Sequence, residues 1–209
     1  MPVKSLSRAK TRLSPILSPL ERAALTLAML EDVLDATLCI PGWETWVISP
    51  DEAVLEVAAR RGARPVPEER PPLSAAVRQV EIEAAQQDAD ALAVLLADLP
   101  SLTADALHEA LCTLGSIVLA PSEDNSGTNL LLRRPPRVIG ARFGRDSFTK
   151  HRLAAEARGL PAAVVRRSEL TSDLDTPGDV VSFLASASDG RTRGALLELD
   201  AAGRVAARA

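Results

Sequence analysis

The chain has 209 residues, a formal net charge of -4, 46% hydrophobic and 25% charged residues, which is the composition and size of a globular protein with one substantial core. A sequence pI near 5.3 excludes a general nucleic-acid binder, and 2% aromatic residues without a tyrosine leave no platform for stacking single strands. No apolar run approaches the roughly eighteen residues of a membrane span, no secretory pattern is expected, and Cys39 and Cys112 are too few for a disulfide framework or zinc site. They read as free buried thiols of a cytoplasmic protein.

In chain order, the opening "VKSLSRAKTRL" concentrates Lys4, Arg8, Lys10 and Arg12, although lysine otherwise occurs only at position 150. Compact point charges here suit a small anion, the alternative being a solvated basic terminus. A helix is predicted over 18–37, with Ser18 as N-cap, Pro19 at the first helical position, Glu21 closing a capping box, and an apolar stripe through Leu20, Ala24, Leu27 and Leu34. "TWVIS" (45–49) reads as a strand, 51–62 as a helix ended by Gly62, 63–67 as a short strand and 73–87 as a helix. The continuous apolar run 91–97 predicts a strand covered on both faces. A helix follows over 102–115, then strands over 116–121 and 129–134, a helix over about 146–159, a strand over 162–167, and a helix capped by Thr176 and Pro177. Alternating strands and helices imply crossover units and a mainly parallel sheet. Residues 1–186 read as a single domain and 187–209 as a loosely attached tail, helical near its middle.

In open α/β sheets ligands bind beyond the carboxyl ends of strands. Asp98 stands at the lip of the strand 91–97, and Asp173 and Asp175 alternate in the extended "SDLDTPGD" just before a helix. One carboxylate from each of two strand ends suits magnesium, which takes one or two carboxylates plus substrate phosphates; the bland alternative is turn capping. No Walker loop or G-x-G-x-x-G is present, so the opening cations and a metal must neutralise any bound phosphates. His108 and His151 fall in predicted helices without a serine or cysteine partner and read as structural or solvated. The loop around Ser126, Gly127, Thr128 and Asn129, and the helix start around Gly144 and Ser147, offer amides and hydroxyls to anions.

These segments together ("PVKSLSRAKTRLSPILSPLERAALTLAMLEDVL", "LLADLPSLT", "SGTNLLLRRP", "FGRDSFTKH", "DLDTPGDV") resemble the motifs of the CofC-like guanylyltransferases over residues 2 to about 185. The resemblance implies an α/β, Rossmann-like fold of the nucleotide-diphospho-sugar transferase type, with a mainly parallel, mixed central sheet and helices on both faces. It implies a reaction joining GTP to a three-carbon phospho-acid with release of pyrophosphate, in the biosynthesis of coenzyme F-420. Phosphoenolpyruvate leads as acceptor over 2-phospho-L-lactate and 3-phosphoglycerate. A non-catalytic nucleotide-binding domain is the alternative from another class. Carried over by position, Lys4, Lys10 and Arg12 hold the triphosphate, Leu73 and Ser74 lie near the nucleotide, Asp98 and Asp175 bind Mg2+, and Thr128, Gly144 and Ser147 contact the phospho-acid. Lys10, Asp98 and Asp175 form the catalytic set. The partners implied are these substrates and the transferase that takes the product, with a homodimer left open and neither nucleic acid nor membrane. Two departures stand out: the chain begins at Met1-Pro2 where the family has further apolar residues of a first central strand, and "PLS" (72–74) replaces the family's "GLN".

Overall fold

The computed structural model describes residues 1–208. After two short 3-10 turns (Leu6–Arg8 and Thr11–Leu13), helix α1 spans Pro19–Thr37. Its capping box is formed as expected: Ser18 Oγ accepts from the Glu21 amide, and Glu21 Oε2 accepts from the Ser18 amide at 2.7 Å. The buried face includes Leu34 of the expected stripe and half-buries Leu27, but departs from it at the start of the helix. Leu20 is 81% exposed and Ala24 is exposed, while Leu25, Met29, Leu30, Val33 and Leu34 are fully buried. The reason is that α1 is a wedge serving three clusters. Leu25 and Met29 pack with the opening segment, Leu30 and Leu34 with the first strand and its helix, and Val33 with the main sheet.

The remaining elements follow as strand β1 (Trp46–Ser49), α2 (Glu52–Arg61), β2 (Arg64–Pro67), α3 (Leu73–Gln86), β3 (Leu92–Leu95), α4 (Ala104–Cys112), β4 (Ile117–Pro121), β5 (Thr128–Arg133), α5 (Ser147–Glu156) and β6 (Ala162–Val164). A one-turn α6 (Ser168–Thr171), α7 (Pro177–Ala185), α8 (Arg191–Glu198) and α9 (Ala201–Ala206) complete the chain. Strand alternation builds two apolar faces. Val118, Ala120, Leu130 and Leu132 face α1 and α4, whereas Ile117, Leu119 and Leu131 face Phe148 and Ala155 of α5. Val47 packs on α2, and Ile48 on Ala76 of α3. This is an α/β architecture with helices on both faces of a mixed sheet.

The sheet is divided. β1 and β2 form a parallel pair, and the other four strands run in the order β3-β5-β4-β6, with β5 antiparallel to both β3 and β4 and β6 parallel to β4. Between β1 and β3 lies a cavity of about 490 Å3 lined by Trp43, Trp46, Ile48, Leu92 and Val94. Residues 1–3 reach only one end of it: the Met1 ammonium donates to the Trp46 carbonyl at 2.6 Å, and Pro2 forms a single parallel bridge with Ile48. Burial pushes that ammonium down to about 5. Beside the gap, Leu92 and Ala93 are half-buried, so the run 91–97 is not covered throughout as its apolarity suggested.

The segment after residue 186 is not a loose tail. Thr192, Leu196 and Ala201 are fully buried, Leu196 and Ala201 in a cluster with Leu13, Ile16, Leu17, Leu25, Val180 and Phe183. Asp32 of α1 caps the start of α8 by accepting from the Arg191 and Thr192 amides at 2.9 and 2.8 Å, where a carboxylate is favoured. Arg204 of α9 donates to the Ile16 carbonyl and to Glu21, tying the last helix to the opening segment. Cys39 and Cys112 are free but exposed, correcting the buried assignment, because each lies on a helix-end face turned from the core. Among the described residues no helix is long and apolar enough to cross a membrane.

Truncating Leu196 to alanine should cost about 2–5 kcal/mol, the range for emptying a buried leucine site. Urea unfolding of Leu196→Ala measures it, and a loss within error of zero would mean that α8 is not part of the core.

Candidate active site

The opening segment folds into turns because four tethers hold it. Arg22 of α1, itself buried, donates to the carbonyls of Ala9 and Leu17; Asp51 Oδ2 accepts from the Leu6 amide at 3.0 Å; Arg204 holds Ile16; and Leu13 is fully buried. At the centre Lys10 adopts a left-handed backbone, φ 49° and ψ 41°, a conformation that costs an L-residue about 1–2 kcal/mol. Its buried ammonium lies 2.7 Å from Asp98 Oδ2 and 3.6 Å from Asp175 Oδ1. Arg12, largely exposed, reaches Asp175 Oδ2 at 3.2 Å.

The two carboxylates come from the ends of different elements. Asp98 follows β3, and its backbone carbonyl accepts from the Leu174 amide at 3.0 Å, locking the lip of the sheet to the segment before α7. Asp175 is set by the α7 cap: Asp179 Oδ2 accepts from the amides of Asp175 and Thr176 at 2.8 and 2.6 Å, and Thr176 Oγ1 accepts from the Asp179 amide. Asp173 joins this group. Burial, and then the charge of Asp98, hold its carboxyl above the usual aspartate range.

Across the cavity, β5 carries a bulge. Ala120 pairs with Leu130 but Pro121 pairs with Thr128, leaving Asn129 as an extra residue. Strict alternation would turn Thr128 toward α1 with Leu130; the bulge turns it toward α5 instead. There Thr128 Oγ1 lies 3.0 Å from His151 Nδ1 and 3.2 Å from Ser147 Oγ. Asn129 donates to the carbonyls of Leu170 and Thr171. Ser147 opens α5 just after Gly144, whose φ of +108° suits glycine. In the loop before Thr128, Asp124 accepts from the Ser122 hydroxyl and the Ser126 amide, which holds its carboxyl down to about 2.

One cavity of about 740 Å3 is lined by Lys4, Lys10, Arg12, Leu73, Asp98, Thr128, Gly144, Ser147 and Asp175. Every site residue expected from the sequence is on its wall except Ser74, which is exposed in the first turn of α3 and points away. Asp173 and Phe143 are wall residues that sequence reasoning did not assign; the alternation of Asp173 with Asp175 was the available signal. His151 lies behind the wall, fully buried, with its ring edge-on to Phe143 at 5.3 Å between centroids. His108 stays outside, on an exposed helix face beside Cys112.

A cation-binding role can be tested on the carboxylates themselves. Asp98 Oδ1 is buried without a hydrogen-bond partner, which is costly for a charged oxygen unless a cation meets it. Among the described residues no three acidic, imidazole or thiol groups converge into a preformed cage. Two hard oxygen ligands without a cage fit magnesium, which brings waters and substrate phosphates to complete its shell.

A family model described as "Guanylyl transferase CofC like" matches residues 1–203. A phosphoenolpyruvate guanylyltransferase of Sphaerobacter thermophilus is 39% identical over 193 residues, covering 91% of this chain and 93% of the relative. A 3-phospho-D-glycerate guanylyltransferase of Phenylobacterium zucineum is 39% identical over 198 residues, covering 91% of each. Among solved structures, a candidate nucleotide-diphospho-sugar transferase from Desulfovibrio desulfuricans G20 superposes with a TM-score of 0.81 at 19% identity, over 99% of this chain and 95% of that one. A CMP-2-keto-3-deoxy-manno-octonic acid synthetase bound to CTP gives 0.56 at 12% identity, over 88% and 95%. These two likenesses define the fold as the nucleotide-diphospho-sugar transferase type.

His151 is held down to about 4 by burial first and then by the charges of Arg133 and Arg142. A histidine depressed in the folded state contributes stability that is present above its unfolded value and lost as pH falls toward the folded one. Between pH 7 and pH 4 the unmodified protein should therefore lose about 3 kcal/mol more than His151→Asn. Urea titrations at the two pH values test this, and equal losses in both proteins would show that the imidazole is not kept neutral by the fold.

Proposed function

The chain belongs to the CofC-like guanylyl transferase family and is a nucleotidyltransferase; on that premise we propose that it transfers the guanylyl group of GTP to a three-carbon phospho-acid, with phosphoenolpyruvate as the leading acceptor. The observation that carries this reading is the single cavity in which the opening-segment cations, two strand-end carboxylates and a hydroxyl-lined loop face one another. The acceptor rests on the name of the Sphaerobacter relative. The activated product is a phosphoanhydride whose consumption falls to a downstream transferase in coenzyme F-420 biosynthesis.

In the reaction a phosphate oxygen of the acceptor attacks the α-phosphorus of GTP. A new P–O–P bond forms, the bond between the α- and β-phosphates breaks, and pyrophosphate leaves with the electron pair. The second pKa of a phosphate monoester is about 6, so the nucleophile is ionised near neutral pH and needs no general base; His151, held neutral behind the wall, is not called on for one. The obstacle is charge: two unit charges about 4 Å apart repel by roughly 4 kcal/mol at an effective dielectric of 20. Lys4 counters this on the triphosphate side, joined by Lys10 and Arg12, which pair with Asp98 and Asp175 in this structure and would exchange those partners for phosphate once nucleotide and metal bind. Thr128 and the backbone at Gly144 hold the acceptor in line, with Ser147 acting through the hydrogen bond it donates to Thr128. Leu73 borders the nucleotide, and Ser74 is left without a role. Asp98 and Asp175 would hold Mg2+, which when bound supplies Lewis-acid neutralisation of phosphate oxygens.

Magnesium-dependent pyrophosphate release from GTP and phosphoenolpyruvate is the direct assay, run beside 2-phospho-L-lactate, 3-phosphoglycerate and the other three nucleoside triphosphates. Asp98→Asn should lower turnover by at least about a hundredfold, as for loss of one electrostatic stabiliser. Ordinary turnover in a folded Asp98→Asn protein would remove Asp98 from the chemistry, and release equal with all four nucleotides would remove guanine selection.

A further inference from the structure

His151 is a fully buried titratable side chain next to the cavity that the proposed reaction leaves unused. Its two ring nitrogens have unequal neighbours. The Arg142 backbone amide donates to Nε2 at 2.8 Å, and an amide N–H has no lone pair to offer in return. Nε2 must therefore be the bare nitrogen. A neutral imidazole carries one N–H, and so the proton is on Nδ1, which lies 3.0 Å from Thr128 Oγ1. Thr128 Oγ1 also accepts from the Ser147 hydroxyl at 3.2 Å. A hydroxyl has two acceptor lone pairs and one donor hydrogen; both lone pairs are now taken. All three side chains are buried, and Thr128 and Ser147 line the cavity.

We infer that His151 is a positioning residue: by donating Nδ1–H to Thr128, together with Ser147, it fixes the Thr128 hydroxyl as a pure donor aimed into the cavity, where it meets an anionic oxygen of the phospho-acid. The inference rests on the reading of Thr128 as an acceptor-substrate contact and adds a polarity to that subsite. A hydroxyl free to rotate would face an incoming oxyanion with lone pairs part of the time; one whose lone pairs are occupied cannot. The depressed histidine keeps this arrangement in place through neutral pH, because a doubly protonated ring would turn an N–H against the Arg142 amide. Phe143 packs against the ring in a T-shaped arrangement, 5.3 Å between centroids.

Two variants separate the nitrogens. His151→Asn places an amide N–H near the Nδ1 position and keeps donation to Thr128, whereas His151→Gln reaches the Nε2 position, keeps the Arg142 contact and loses the donor. His151→Gln should raise the KM for phosphoenolpyruvate about tenfold, the scale of one lost hydrogen bond to a charged group, with the KM for GTP unchanged. His151→Asn should recover most of that loss. In a Thr128→Val background His151→Gln should add nothing further, since residues acting through one another are not additive. Additive effects, a matching rise in the KM for GTP, or no recovery by asparagine would overturn the inference. Nitrogen-15 NMR of the unmodified protein tests it without catalysis: a proton on Nδ1 is expected, and a proton on Nε2 overturns it. Absence of guanylyl transfer by the unmodified protein would instead overturn the functional reading, with the nitrogen signal still deciding the hydrogen-bond direction.

Discussion

The structure depends on one buried ammonium. Lys10 Nζ sits between Asp98 and Asp175 and joins three parts of the chain that local sequence does not connect: the opening segment, the end of β3 and the approach to α7. Burying a lysine is costly unless it is paired, and two carboxylates are costly beside each other unless a cation separates them. Each group relieves the other. The left-handed backbone at Lys10 accompanies this placement: in that conformation the side chain reaches both acids while Leu13 stays in the core.

Beneath the charges lies the cluster that unites Leu13, Ile16 and Leu17 with α1, α7, α8 and α9. It connects packing to chemistry. The cations of the opening segment are anchored from below by apolar contacts and from the side by Arg22 and Arg204, so the last helix contributes to the placement of the first functional residues. On the far wall the bulge in β5 does the corresponding task for Thr128. The cavity is thus lined by the opening-segment cations, the carboxylates of Asp98, Asp173 and Asp175, and the hydroxyls of Thr128 and Ser147.

What the sequence made legible was local. Capping boxes at Ser18 and Thr176, the glycine at position 62, and the strand-end position of Asp98 are all signals written within a few residues, and the structure has them. The motifs quoted for the family resemblance brought most of the cavity wall with them. What was not legible depended on partners far along the chain. Leu20 and Leu25 are equally apolar, and only the neighbours of α1 decide that the second is inside. The polar, alanine-rich end of the chain hid Leu196 because its cluster is completed by Leu13, Ile16, Leu17, Leu25 and Met29, more than a hundred positions earlier. Nothing near Thr128 announces that one extra residue will turn it toward α5, and nothing near His151 that its partner is a strand hydroxyl. Ser74, carried over by its position in a motif, is exposed at the start of α3 and outside the cavity lining.

The interruption between β1 and β3 has a practical side. Pro2 already fixes a parallel register against Ile48, and Met1 points back along Trp46. The trough between the two unzipped edges is walled by Trp43 and Trp46. Those are the chain's two indoles, so their emission colour would report on whatever occupies that trough.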